Sequence, residues 1–341
     1  MRASAPGVAL LLMLGLVMSA VLSIATGPLA LSSVDSLLAL LDHLFDWQLA
    51  QLQDYQRAVV VDLRVPRTLL AMLTGALLAQ CGAVMQGLFR NPLADPGIIG
   101  VSSGAAVGAV LAIVMAPLAW VAWATPVAAF TTGLLTTLAV YALARTANGT
   151  SVTILLLAGV ALAAFAGSAI GLMSYFASDQ DLRSLSLWQM GSLTSASSTG
   201  IVLSALALLM TAFQFQRRAA ALNALLLGEA EARHLGIRVE RLKLELILLT
   251  ALAVGIAVAN TGVIGFVGLV VPHIVRMLVG PDHKRLLPLA AVSGALMLLL
   301  ADTLARVLVP PAEIPVGIIT ALIGAPFFLA LLLKQRKLGK L

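Results

Sequence analysis

Apolar runs of about twenty residues follow one another almost from end to end of this chain, and they constrain its fold more than any other feature. Crossing a hydrocarbon core of about 30 Å takes about 20 helical residues, so such runs are long enough to span a bilayer. Ten fit the pattern: residues 7–27, 66–88, 98–118, 120–144, 151–176, 199–216, 244–262, 264–279, 286–309 and 314–333. The stretch 244–279 is interrupted by "NTGVIGFVG", which leaves nine spans as the alternative. Barrel strands are excluded because a barrel wall alternates apolar and polar residues, whereas these runs are continuous. The chain is 60% hydrophobic and only 11% charged, against roughly 25% charge in a soluble domain. The expected fold is therefore all-α, a polytopic membrane protein of about ten transmembrane helices forming a single domain over residues 1–341.

The first run, "GVALLLMLGLVMSAVLSIATG", follows Arg2 as a signal peptide would. It outruns the apolar core of about 7–15 residues found in such peptides and reads as the first span. Cys81 is the single cysteine and lies within the second run, so it packs rather than bridges. The net charge of +6 is distributed like that of a membrane protein, with no sign of a nucleic-acid surface. With ten spans both termini share a side, and sixteen of the 21 Lys and Arg fall there. The positive-inside rule makes that side cytoplasmic.

Among the connections, residues 33–56 repeat apolar pairs with Asp and Gln at helical spacing, as a helix lying on the membrane surface does. Residues 177–198 carry a short helical pattern around Trp188, either a cap over a cavity mouth or a plain loop. Both belong to expected periplasmic segments, 29–62 and 177–198. Gly100, Gly104 and Gly108 make a flat stripe suited to close helix packing or, alternatively, to lining a route. Gly265, Gly268 and Pro272 in "GFVGLVVPHI" would shorten or break a helix.

Ionisable side chains are expensive in a bilayer and mark function when present. Few occur here. Asp302 and Arg306 stand one turn apart near the outer end of the ninth span and can pair with each other; His273 reads as a hydrogen-bonded histidine rather than a ligand. No HExxH, no Cys/His cluster and no acid placed to relay protons argues for an intramembrane enzyme or a proton-coupled carrier. A transporter without a coupling ion draws its energy from a partner. The cytoplasmic segment 217–243 is the one connection long enough to receive that partner. Within it, "LGEAEARHLGIRVERLK" reads as a short helix stopped by Gly236, then a second helix that runs into the seventh span.

Four stretches carry a family resemblance: "LRVPRTLLAMLTGALLAQCGAVMQGLFRNPLADPGIIGVSSGAAVG" (63–108), "LLLGEAEARHLGI" (225–237), "GFVGLVVPHIVRMLVGPDHKRLLP" (265–288), and "LLLADTLARV" followed by "IPVGIITALIGAPFFLALL". The chain resembles, over about residues 8–335, the FecCD-type permeases of ABC importers, which serve vitamin B12, ferric siderophores and haem. The resemblance implies a type II importer permease fold in the bacterial inner membrane, working as a homodimer with two cytoplasmic ATPases and a periplasmic binding protein. It implies that Arg64, Arg67 and Arg306 face the periplasm and pair with acidic residues of the binding protein. It further implies a cytoplasmic gate at Asn91, Leu93, Thr150 and Ser151. The coupling helix for the ATPase would be Glu229, Ala230, Glu231, Ala232, Arg233, His234, Leu235 and Gly236. ATP and Mg would sit on the partner, since this chain has no GxxxxGK[ST], and no cofactor would be bound here. The wording of these motifs is nearest to haem permeases, with ferric siderophore and vitamin B12 as alternative substrates and an ion-coupled secondary carrier as a reading of another class.

Overall fold

The computed structural model describes residues 4–29, 31–147 and 149–337. It is helical almost throughout. Among the described residues seven helices are long and apolar enough to cross a membrane, and three shorter apolar ones, Val101–Met115, Val267–Val279 and Val316–Leu331, complete ten. In chain order the helices are α1 (Ala5–Ala25), α2 (Ser33–Phe45), α3 (Asp54–Ala58), α4 (Val65–Leu88), α5 (Val101–Met115), α6 (Leu118–Ala144), α7 (Val152–Phe176), α8 (Asp179–Gln189), α9 (Ser198–Leu225), α10 (Glu229–His234), α11 (Val239–Thr261), α12 (Val267–Val279), α13 (His283–Val307) and α14 (Val316–Lys337). A two-residue ladder, β1 (Arg145–Thr146) against β2 (Gly149–Thr150), closes the turn between α6 and α7.

The ten expected spans are present, with shifted ends. The second begins well before residue 66, because α3 continues through a π-helical stretch, Val59–Arg64, into α4 as one 35-residue helix. Asp54, Arg57 and Asp62 lower the hydropathy there without stopping the helix, and the π turn lies just ahead of Pro66, which cannot donate a backbone hydrogen bond. α9 likewise runs past residue 216, and Arg218 Nε reaches Glu245 at 2.8 Å. The choice between nine and ten spans is settled by a break between α11 and α12. Gly262 and Phe266 both have positive φ there. At 13 residues, α12 is about 20 Å long, well short of a full crossing, as a half-helix is.

The core is built around α4, which packs against α9, α11, α12 and α13. Glycine makes these approaches possible. A Cβ on Gly75 or Gly82 would fall inside contact distance of the carbonyl oxygen of Gly294 or Gly268 respectively. Gly104 and Gly108 press in the same way on α6, at Thr132, Thr136 and Ala128, so the small-residue stripe packs within the chain. Cys81 is buried in α4.

Successive spans alternate in direction and leave two functional ends. One carries α2, α8 and the last turns of α1, α11 and α13; the other carries α10, the β1–β2 turn and the first turns of α11 and α13. α8 borders a cavity of about 680 Å³ between α6 and α11, with Ser184, Leu187 and Trp188 on its wall.

Candidate functional site

At the α8 end, three arginines from two helices converge: Arg64 and Arg67 of the long Asp54–Leu88 helix and Arg306 of α13. Arg67 grips Asp302, with Nε at 2.9 Å and Nη2 at 2.8 Å from Oδ1, and its Nη1 reaches Glu313 Oε2 at 2.6 Å. Arg306 stands 3.1 Å from the other Asp302 oxygen through Nε and donates from Nη2 to Ser23 Oγ at 2.7 Å. Arg64 donates to the carbonyls of Ile24 at 2.9 Å and Leu29 at 2.7 Å, satisfying acceptors at the end of α1 and just beyond it.

The burial of these arginines was not foreseen from sequence. Arg64, Arg67 and Arg306 are only 4%, 9% and 2% exposed, and their guanidinia are held within the chain by Asp302, Glu313 and backbone carbonyls. Asp302 is itself wholly buried. The pair expected between Asp302 and Arg306 is therefore part of a larger buried network, in which each charge is needed to offset the desolvation of the others. Sequence spacing could show the i,i+4 pair but not Arg67, 235 residues away.

At the α10 end, Glu229–His234 forms the expected short helix. Glu229 and Glu231 lie in its first turn and Arg233 and His234 in its last, the order the helix dipole favours. Gly236 takes φ +82°, Gly236 N–H donates to Arg233 O and Ile237 N–H to Ala232 O, so the helix ends in a Schellman motif on the glycine picked out from sequence. Ala232 is buried, while Ala230, Glu231, Arg233, His234, Leu235 and Gly236 are exposed. Leu227 and Leu235 remain exposed beside the charges. A hollow of about 790 Å³ opens alongside, bordered by Arg145, Arg233, Arg238 and Arg241.

The expected gate residues occupy two separate turns. In the α4–α5 turn Asn91 Oδ1 accepts the Leu93 N–H at 2.9 Å, and Leu93 packs near Phe327 and Phe328 of α14. His273 lies beside them, and its Nδ1 is buried without a hydrogen-bond partner among the described residues, contrary to the satisfied histidine expected. Thr150 and Ser151 sit in the α6–α7 turn, where Ser151 Oγ accepts the Ile154 N–H at 3.3 Å as the N-cap of α7.

Residues missed in the sequence hold this end together. Glu240 Oε2 accepts the Thr150 N–H at 2.7 Å, and Lys243 Nζ donates to Thr150 O at 3.0 Å. Asn223 accepts from the His283 N–H at 2.8 Å and donates to Asp282 Oδ1 at 2.6 Å, which holds the Asp282 carboxyl below its ordinary range. A signal for Lys243 was available: residues 239, 243, 246 and 250 recur at helical spacing, and all four are buried.

Ten apolar helices with α4 at their centre, one of them the half-helix α12, and an exposed charged helix at one end define the membrane-spanning permease subunit of an ABC importer, with the type II fold. The chain belongs to the FecCD transport family, whose model matches residues 12–334. It is 49% identical over 280 residues to the hemin transport system permease protein HmuU of Yersinia pestis, covering 81% of this chain and 84% of that protein. It is 41% identical over 292 residues to the vitamin B12 import system permease protein BtuC of Pectobacterium atrosepticum, covering 85% and 87%. A solved inward-facing metal-chelate type ABC transporter superposes with a TM-score of 0.84 at 35% identity, over 96% of this chain and 99% of that one.

Proposed function

We propose that this permease moves haem across the bacterial inner membrane, as one half of a homodimer joined to two cytoplasmic ATPases and served by a periplasmic binding protein. The observation that carries the substrate is the 49% identity to a hemin permease over most of both chains, against 41% for a vitamin B12 permease over a similar span. Both termini lie in the cytoplasm in this reading, in line with the sixteen basic residues on their side. ATP and Mg belong to the partner subunit.

Glu229–Gly236 is the coupling helix in this reading. Exposed leucines beside a compact charged helix suit insertion into a groove, and the arginine-rimmed hollow suits an acidic rim around that groove. ATP-driven closure of the ATPase pair would move this helix and shift the permease between inward-open and outward-open states. Asn91, Leu93, Thr150 and Ser151 would meet their copies across the dimer axis as the cytoplasmic gate.

The binding protein would dock at the α8 end, around Arg64, Arg67 and Arg306. Arg67 is its first target, because Glu313, one of its two acidic partners, is a quarter exposed and can yield to an incoming carboxylate. Arg64 and Arg306 would hold the surrounding helix ends in place and add to the positive field.

Reconstitution tests this reading. The complex in liposomes, given its binding protein outside and ATP within, should accumulate hemin; accumulation of cobalamin or a ferric siderophore instead would move the substrate within the family. Replacing residues 229–236 with a flexible linker should separate permease from ATPase, and intact assembly with transport would remove the coupling role.

A further inference from the structure

We propose that Lys243 is a positioning residue that ties the coupling helix to the gate turn, so that a displacement of α10 is delivered to Thr150 and Ser151. This deepens the coupling and gate roles proposed above and rests on them.

Lys243 sits on the buried stripe of α11, and its side chain is only 4% exposed. Its ammonium donates to Thr150 and Glu240 and forms an ion pair with Glu229, so it touches three elements. Glu229 Oε1 of α10 lies at 2.8 Å, Glu240 Oε1 of α11 at 3.1 Å, and the carbonyl oxygen of Thr150 at 3.0 Å. Glu240 turns its second oxygen to the Thr150 N–H at 2.7 Å, so this Lys–Glu pair holds both backbone groups of Thr150. The turn passes the constraint on. Ser151 N–H bonds Ala144 O at 2.9 Å, and the Ser151 hydroxyl caps α7. A continuous polar path therefore runs from Glu229 through Lys243 and Thr150 to the first turn of α7.

The covalent route between the same elements is looser. α10 is bounded by Gly228 and Gly236, both with positive φ, and nothing lies within 4 Å of the Cβ position of Gly236. Flanked in this way, α10 could pivot without moving α11. The Lys243 tie converts such a pivot into a pull on the gate turn. A buried ammonium is a costly way to fill space, since an apolar side chain of similar length would pack there without desolvation. What the charge adds is a directional link between three elements.

The test uses the complete complex in liposomes, with binding protein and hemin as the probe, and reads hemin moved per ATP hydrolysed. Lys243→Met keeps the length and removes the charge. The expected fall in that ratio is about 5- to 150-fold, the range of typical coupling energies. Lys243→Arg keeps charge and donors and should retain most of it. A role in packing alone reverses this order, since Met fits the space and Arg crowds it. Spin labels at Ala230 and Thr146 should shift together on nucleotide binding in the parent complex and independently in Lys243→Met. If Lys243→Met is not recovered folded, Glu229→Gln decides, read against Arg233→Gln, which breaks the other Glu229 contact and leaves the Lys243 link in place. An unchanged ratio in the recovered variant, or Met outperforming Arg, overturns the tie. Failure of the underlying reading is distinguished by the 229–236 linker: if that variant still assembles and transports, the coupling role falls; if it fails while Lys243→Met stays fully coupled, only the tie does.

Discussion

Replacing Asp302 with Asn should destabilise the permease more than any other single change at the α8 end. Asp302 is fully buried and takes three close contacts from Arg67 and one from Arg306. Asn keeps the shape, but one of its two terminal groups becomes an amide donor facing a guanidinium donor. Buried Arg67 and Arg306 would then share Glu313 as their acid. Removing one partner of a buried pair typically costs about 3–5 kcal/mol, because the remaining charge stays desolvated and uncompensated. Glu313→Gln is the internal control. Its side chain is a quarter exposed, so water can replace much of what is lost, and a cost near 1 kcal/mol or less is expected. Thermal unfolding of the purified protein in one detergent, followed by loss of the monodisperse peak, should lower the Asp302→Asn midpoint by an amount on the order of 10 °C. Replacing Asp302, Arg67 and Arg306 together with apolar residues of similar volume should recover much of that loss. A midpoint equal to the parent's, or an Asp302→Asn protein no less stable than Glu313→Gln, would refute the reasoning.

Other expectations follow from packing, backbone and charge. Gly82→Ala forces a methyl group onto the Gly268 carbonyl and should cost about 1–3 kcal/mol; Gly167→Ala meets nothing within 4 Å and should leave the thermal midpoint in place. Gly236→Ala puts a side chain at φ +82°, a strain of about 1–2 kcal/mol that should raise amide exchange in α10 and leave the spans unchanged. At Asp42, burial pushes the carboxyl up, but the Leu49 and Ala50 amides and Arg57 outweigh it and hold it below its ordinary value. A carboxyl whose folded value is depressed stabilises at pH above its unfolded value and loses that contribution as pH falls through the folded one. Exchange at Leu49 and Ala50, corrected for intrinsic rates, should therefore accelerate below about pH 4, and constant protection down to about pH 3 would count against it.

The sequence by itself determined where the membrane is crossed and what stands at the α10 end. Apolar runs locate spans because the cost of burying polar groups in lipid acts on each segment separately, and the helix over 229–234 with its stop at Gly236 was legible because capping is local. Helix ends were less legible. Asp54–Leu88 begins far outside its apolar run, since hydrogen bonding and not hydropathy decides where a helix stops.

Tertiary structure decided which charges are free. Arg64, Arg67 and Arg306 look alike in sequence to any outward-reaching arginine, and only the meeting of α1, α4 and α13 with the chain at Glu313 turns them inward. Lys243 looked like one more cytoplasmic cation, yet its three partners come from positions 150, 229 and 240. Charge pairing depends on distance in space, which one chain's local pattern does not encode; the fold supplies it by bringing remote helix ends together in a medium where an unpaired charge is too costly to keep.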